Sequence, residues 1–148
     1  MTLSQTISED LKNAMKAGDK NRTETLRMVR AQILEFEKKG LNREMTADEE
    51  MALLLNAVKK RKESIELYEK AGRQDLVEKE SAEVAVISEY LPKQMSREEA
   101  ETVIAGIIAQ AGASGPGDLG KVMPLVMKEL KGKLDGKIIN EIVRTKLS

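Results

Sequence analysis

TADEEMALLLNAVKKRKESIELYEKAG, residues 46–72, decides the fold. Thr46 and Glu49 are spaced as a capping box, in which each side chain satisfies the other residue's orphan amide at a helix start. Behind them Met51, Leu54, Leu55, Val58, Ile65 and Tyr68 recur at steps of three and four, and Gly72 closes the run. The stripe is broken only where Lys59-Lys60-Arg61-Lys62 crosses it. At 100° per residue these four cations surround the helix, so Arg61 or Lys62 has to fill the face between Val58 and Ile65. A long basic side chain there snorkels over the core or pairs with an inward carboxylate such as Glu80 or Glu83.

The same pattern continues on both sides. Leu3, Ile7, Leu11 and Met15 predict a first helix stopped by Gly18. Leu26, Val29, Ile33 and Phe36 predict a second, ending at Gly40. After residue 72, Leu76, Val84, Ile87 and Leu91 mark a fourth, which Pro92 ends because the residue before proline avoids the α region. A second capping box, Ser96 with Glu99, opens a helix carrying Val103, Ile104, Ile107 and Ile108, closed by Gly112. Composition then shifts, with seven of ten glycines between residues 106 and 136. Asp118 is the expected cap of a sixth helix, kinked at Pro124. Asp135 caps a last one with Ile138, Ile139, Ile142, Val143 and Leu147 inward. The expected fold is all-α: an N-terminal four-helix unit over residues 1–94, then a small three-helix domain over 95–148.

Composition agrees and excludes much. The 148 residues are 41% hydrophobic and 34% charged but only 2% aromatic, which disfavours both disorder and a β-sandwich. With no Cys and no His there is no disulfide, no thiolate or Ser-His-Asp chemistry and no ordinary transition-metal site. No catalytic residue, metal ligand or cofactor motif stands out: Gly115-Pro116-Gly117 lacks the strand and spacing of a dinucleotide loop. Tyr68 and Tyr90 lie on apolar stripes, and Met15, Met28, Met51, Met123 and Met127 read as core filler. The longest apolar run, Val103 to Ala109, falls far short of the ~20 residues that cross a bilayer. No membrane partner and no signal peptide are expected, and the expected address is cytoplasmic.

Net charge is zero, but not locally. Residues 1–95 hold 17 basic and 18 acidic side chains, 96–118 hold 1 and 4, and 119–148 hold 7 and 3. The last thirty residues are therefore a basic end, at +4. Lys near helix C-termini complements the helix dipole, which gives this charge an ordinary structural use as well.

Several runs resemble one bacterial family. They are Lys59 to Tyr68, Ala71 to Leu76, Glu89 to Gln94, Asp118 to Met123 and Leu130 to Lys137, with Leu26-Arg27-Met28 upstream. In this order, over essentially the whole chain, they are similar to the YqeY family. The resemblance implies a two-part helical protein whose C-terminal part is like the tail domain of the B subunit of the tRNA-dependent amidotransferase, which helps to hold tRNA. Similar domains are appended to a glutaminyl-tRNA synthetase. It also implies tRNA as partner, with amidotransferase subunits or an aminoacyl-tRNA synthetase as protein partners.

Such proteins are often described as carbon–nitrogen ligases with glutamine as amido donor. The catalytic body of the B subunit has no counterpart here, so activity of the chain alone is not expected. The expected tRNA contacts are Lys121, Lys131, Gly132, Lys133, Gly136, Lys137 and Arg144. Lys59, Lys60, Arg61 and Lys62 form a second basic patch. With Phe36, Tyr68 and Tyr90 all on apolar stripes, base stacking is not expected, and backbone recognition of duplex RNA is. The alternative readings are a helical protein-interaction scaffold, or a component of a carbon–nitrogen ligase using glutamine as amido donor.

Overall fold

The computed structural model describes residues 2–41 and 43–148. Among them every regular element is helical: α1 (Leu3–Ala17), α2 (Lys20–Phe36), α3 (Ala47–Lys70), α4 (Gln74–Ser88), α5 (Arg97–Ala111), α6 (Leu119–Leu130) and α7 (Gly136–Leu147). A π-helical turn, Glu37–Leu41, prolongs α2 past Gly40, and a 3₁₀ turn, Pro116–Asp118, precedes α6. The chain divides into two compact units, Met1–Leu91 and Pro92–Ser148.

Local chemistry explains most helix ends. Thr2 and Thr46 each close a capping box, with Gln5 and Glu49 as the reciprocal partners. At α5 the Ser96 half forms, its hydroxyl oxygen accepting from the Glu99 amide at 3.1 Å. Asp135 accepts from the Lys137 amide at the start of α7. Asp118 departs from the expected role. Its carboxylate accepts from the Ser114 and Gly115 amides and braces the loop before α6, without a side-chain cap bond to that helix. These two amides hold its pKa below the ordinary carboxylate value. Pro124 lies inside α6, which runs through to Leu130 as expected.

The core of the first unit combines Ile7, Leu11, Leu26, Val29, Ile33, Leu54, Val58 and Ile87. α1 packs along α2, α3 along α4, and α2 touches α3 over a shorter stretch. Two expected core positions lie outside: Met15 is 47% exposed and Phe36 39%. Each sits at the end of its helix's apolar stripe. Met28 is exposed too. The methionines at 15 and 28 are therefore not core filler.

Arg61 points inward. Its Nε donates to Glu83 Oε2 at 3.1 Å, Nη1 to the Ala57 carbonyl at 3.0 Å and Nη2 to Met28 Sδ at 3.1 Å. Both charged side chains of the pair are less than a tenth exposed. Burial, with Glu83's charge next in effect, raises the pKa of Glu80. A second cluster joins α1 to the end of α4. The Tyr90 hydroxyl donates to Asp10, while Arg22 pairs with Glu89. Burial, with Asp10 next in effect, pushes the Tyr90 phenol well above its usual pKa.

The second unit buries Ala100, Ile104, Val122, Val126, Leu130, Ile139, Ile142, Val143 and Leu147 in a core of its own. Its lead-in segment is pinned to the α6–α7 connection. Gln94 Nε2 donates to the Gly132 carbonyl and the Met95 amide to the Lys133 carbonyl, each at 2.8 Å. Gly132 has φ +79°, the left-handed conformation in which a side chain is strained.

Candidate nucleic-acid interface

The basic residues of the second unit follow from helix arithmetic. Lys121 and Lys128 on α6 are seven residues apart, as are Lys137 and Arg144 on α7. Seven residues are two turns, about 10.5 Å, and return to nearly the same face. Each helix therefore carries a pair of cations in one line, and all four side chains are exposed. Lys128 and Lys146 were not among the expected contacts. The seven-residue spacing from Lys121 identifies Lys128, and Lys146 lies exposed in the last turn of α7.

The expected contacts fall into two groups. Lys131, Lys133, Gly136 and Lys137 gather at the turn joining α6 to α7. Lys121 and Arg144 lie at the other end of this helix pair. There the start of α6 and the end of α7 share a small cavity lined by Pro116, Leu119, Arg144, Leu147 and Ser148. Ten residues of chain, nearly all helical, separate Lys121 from Lys131, about 15 Å.

Members of the first group differ in access. Lys131 and Lys137 are exposed and Lys133 is half-buried. Gly136 faces open space, so backbone approach is unobstructed there. Gly132 is buried and its carbonyl is engaged by Gln94, which makes it a structural residue of the turn rather than a point of approach. In the second group Arg144 Nε donates to Asn140 Oδ1 one turn back, holding the guanidinium along α7. Across the unit, Arg97 reaches Glu141, the single acidic residue of α7, at 3.5 Å.

The second basic patch loses one member. Lys59, Lys60 and Lys62 are exposed, whereas Arg61 is committed to Glu83 inside the first unit. The aromatic residues also divide. Phe36 lies at the surface, lining a groove of ≈ 360 Å³ between α2 and α3 with Gln32, Ala52, Leu53 and Asn56. One aromatic ring is thus accessible, contrary to the expectation from the apolar stripe. Among the described residues no group of three acidic side chains is placed to hold a metal ion, and no helix is long and apolar enough to cross a membrane.

A family model described as Yqey-like protein matches residues 4–147. The chain belongs to this family. It is 30% identical over 143 residues to "Altered inheritance of mitochondria protein 41, mitochondrial" of Pyrenophora tritici-repentis, covering 93% of this chain and 77% of that protein. It is 31% identical over 124 residues to a glutamyl-tRNA(Gln) amidotransferase component, the E-type polypeptide of Methanococcus maripaludis. That match takes in 80% of this chain but 20% of the larger protein. The corresponding polypeptide of Methanococcus vannielii is 34% identical over 128 residues, again over 80% of this chain and 19% of its own length. The amidotransferase likeness therefore concerns one domain of a much larger polypeptide.

Proposed function

We propose that this chain is an accessory tRNA-binding protein, gripping the RNA backbone through the α6–α7 pair of its C-terminal unit in the service of tRNA-dependent amidation. The observation that carries the reading is the placement of cations at both ends of that pair, in a segment of net charge +4. The domain shared with amidotransferase components supports the choice of tRNA over other polyanions. Duplex RNA offers phosphates and 2′-hydroxyls on a shallow minor groove and is recognised by shape and charge, which two short lines of lysine and arginine suit. The chain supplies a hold on tRNA, and amide chemistry belongs to a partner. We place the protein in the cytoplasm; fractionation tests that, since the names of several relatives point to mitochondria instead.

If Lys121, Lys131, Lys133, Lys137 and Arg144 neutralise about five phosphates, log K falls with log salt at a slope of roughly −3.5 to −4.5. Between 50 and 200 mM salt, affinity for bulk tRNA drops about 100- to 500-fold. Fluorescence anisotropy with labelled tRNA reads both quantities. Charge reversal at Lys131, Lys133 and Lys137 is expected to abolish binding, while reversal at Lys59, Lys60 and Lys62 leaves it intact. Absence of binding at low salt, or indifference to the first set of substitutions, overturns the proposal. Incubation of the isolated chain with Glu-tRNA(Gln), ATP and glutamine is expected to give no amide.

A further inference from the structure

Among the described residues the exposed methionines are Met15 and Met28, at 47% and 41%. Both sulfurs accept a hydrogen bond from a guanidinium: Arg27 Nη2 reaches Met15 Sδ at 3.4 Å and Arg61 Nη2 reaches Met28 Sδ at 3.1 Å. A thioether is a weak acceptor. A cation spent on one gains most if the sulfur acquires an oxygen. The two sites differ in what holds the arginine. Arg27 lies on the surface, whereas Arg61 is fixed by Glu83 through Nε and by the Ala57 carbonyl through Nη1. Only its Nη2 is directed at Met28, so a new acceptor there displaces neither existing bond.

We propose that Met28 is an oxidation site for hydroperoxides and that Arg61 captures the resulting sulfoxide. A sulfur lone pair attacks one peroxide oxygen, and the S–O bond forms as the O–O bond breaks. With hydrogen peroxide the departing oxygen leaves as hydroxide and takes the proton of the transferred oxygen, giving water. Sulfur is oxidised and the peroxide is reduced. One lone pair of Met28 is engaged by Arg61, so attack comes from the solvent side and one sulfoxide epimer forms in excess. Rotation about the last side-chain bond brings the new oxygen onto Nη2, replacing a weak contact with a charge-assisted one. Methionine oxidation ordinarily disrupts packing. Here it adds a tie between α2 and α3, which share only a short contact. Reductases specific for each epimer make such a mark reversible.

The full chain carrying Met15→Leu is treated with limiting hydrogen peroxide and mapped by peptide mass spectrometry. Met28 is expected to oxidise ahead of the buried Met45. The protein singly oxidised at Met28 melts about 2–4 °C higher than the reduced form. One stereospecific sulfoxide reductase, and not the other, restores the starting mass. Met28→Gln, which carries a strong acceptor at similar length, melts above Met28→Leu without any peroxide. Oxidation of Met28 no faster than Met45, a lower melting temperature on oxidation, equal amounts of the two epimers, or Met28→Gln no more stable than Met28→Leu overturns the proposal.

Discussion

Replacing Arg61 by Met tests the electrostatic centre of the first unit. The substitution removes three hydrogen bonds and leaves the Glu83 carboxylate without its cation at a site less than a tenth exposed. Breaking one side of a buried pair costs about 3–5 kcal/mol. With a urea slope of about 2 kcal/mol/M, a loss of about 4 kcal/mol moves the midpoint down by about 2 M. Without Trp, far-ultraviolet circular dichroism is the natural probe.

The reverse substitution is milder. In Glu83→Gln the amide oxygen still accepts from Arg61, and the cost is about 1–2 kcal/mol. Arg61→Met combined with Glu83→Leu recovers most of the loss, since an apolar pair of similar volume carries no stranded charge. A loss under about 1 kcal/mol at neutral pH refutes the reasoning, as does a double variant no better than the sum of the singles.

Other expectations follow from particular contacts. Arg43, with the Thr46 amide, lowers the Glu49 pKa from 4.5 to about 2. Its contribution is present above pH 4.5 and is lost as pH falls toward 2, so the difference in melting temperature between wild type and Glu49→Gln vanishes over that window and is reduced by salt. Gln preserves the capping box, which isolates the charge. In a Tyr68→Phe background the Tyr90 phenolate absorbance near 295 nm emerges only well above pH 10, and Asp10→Asn lowers its midpoint without normalising it, because burial is the larger cause. Ordinary titration near pH 10 would contradict this. Gly132→Ala costs about 1–2 kcal/mol from its positive φ, read as a lower melting temperature of the C-terminal unit.

Helix positions were legible because periodicity, caps and glycine stops are local. The capping box at Thr46 and the stops at Gly18 and Gly112 needed nothing from elsewhere in the chain. The inward turn of Arg61 was legible too, since the stripe left no apolar residue between Val58 and Ile65. The exposure of Phe36 and Met15 was not. Periodicity identifies a face, but whether another helix reaches its end depends on packing distant in sequence. The same holds for Gly132, whose carbonyl is engaged by Gln94, 38 residues away. Charge counting found the basic end of the chain but could not divide it. The length of α6 sets Lys121 apart from Lys131.

α3 outlasts the core it helps to build. Its fully buried positions run from Leu54 to Arg61, and nine further residues continue to Lys70 before the chain turns back into α4. Beyond Arg61 the two helices have little but each other, and Val77 is the one buried side chain of α4 before Glu83. Amide protection should therefore be graded along a single helix, slow to exchange at 54–61 and fast toward 70. The outer half of this hairpin opens without unfolding the unit, and the turn at Gly72 is where proteolysis begins and where an inserted tag is best tolerated.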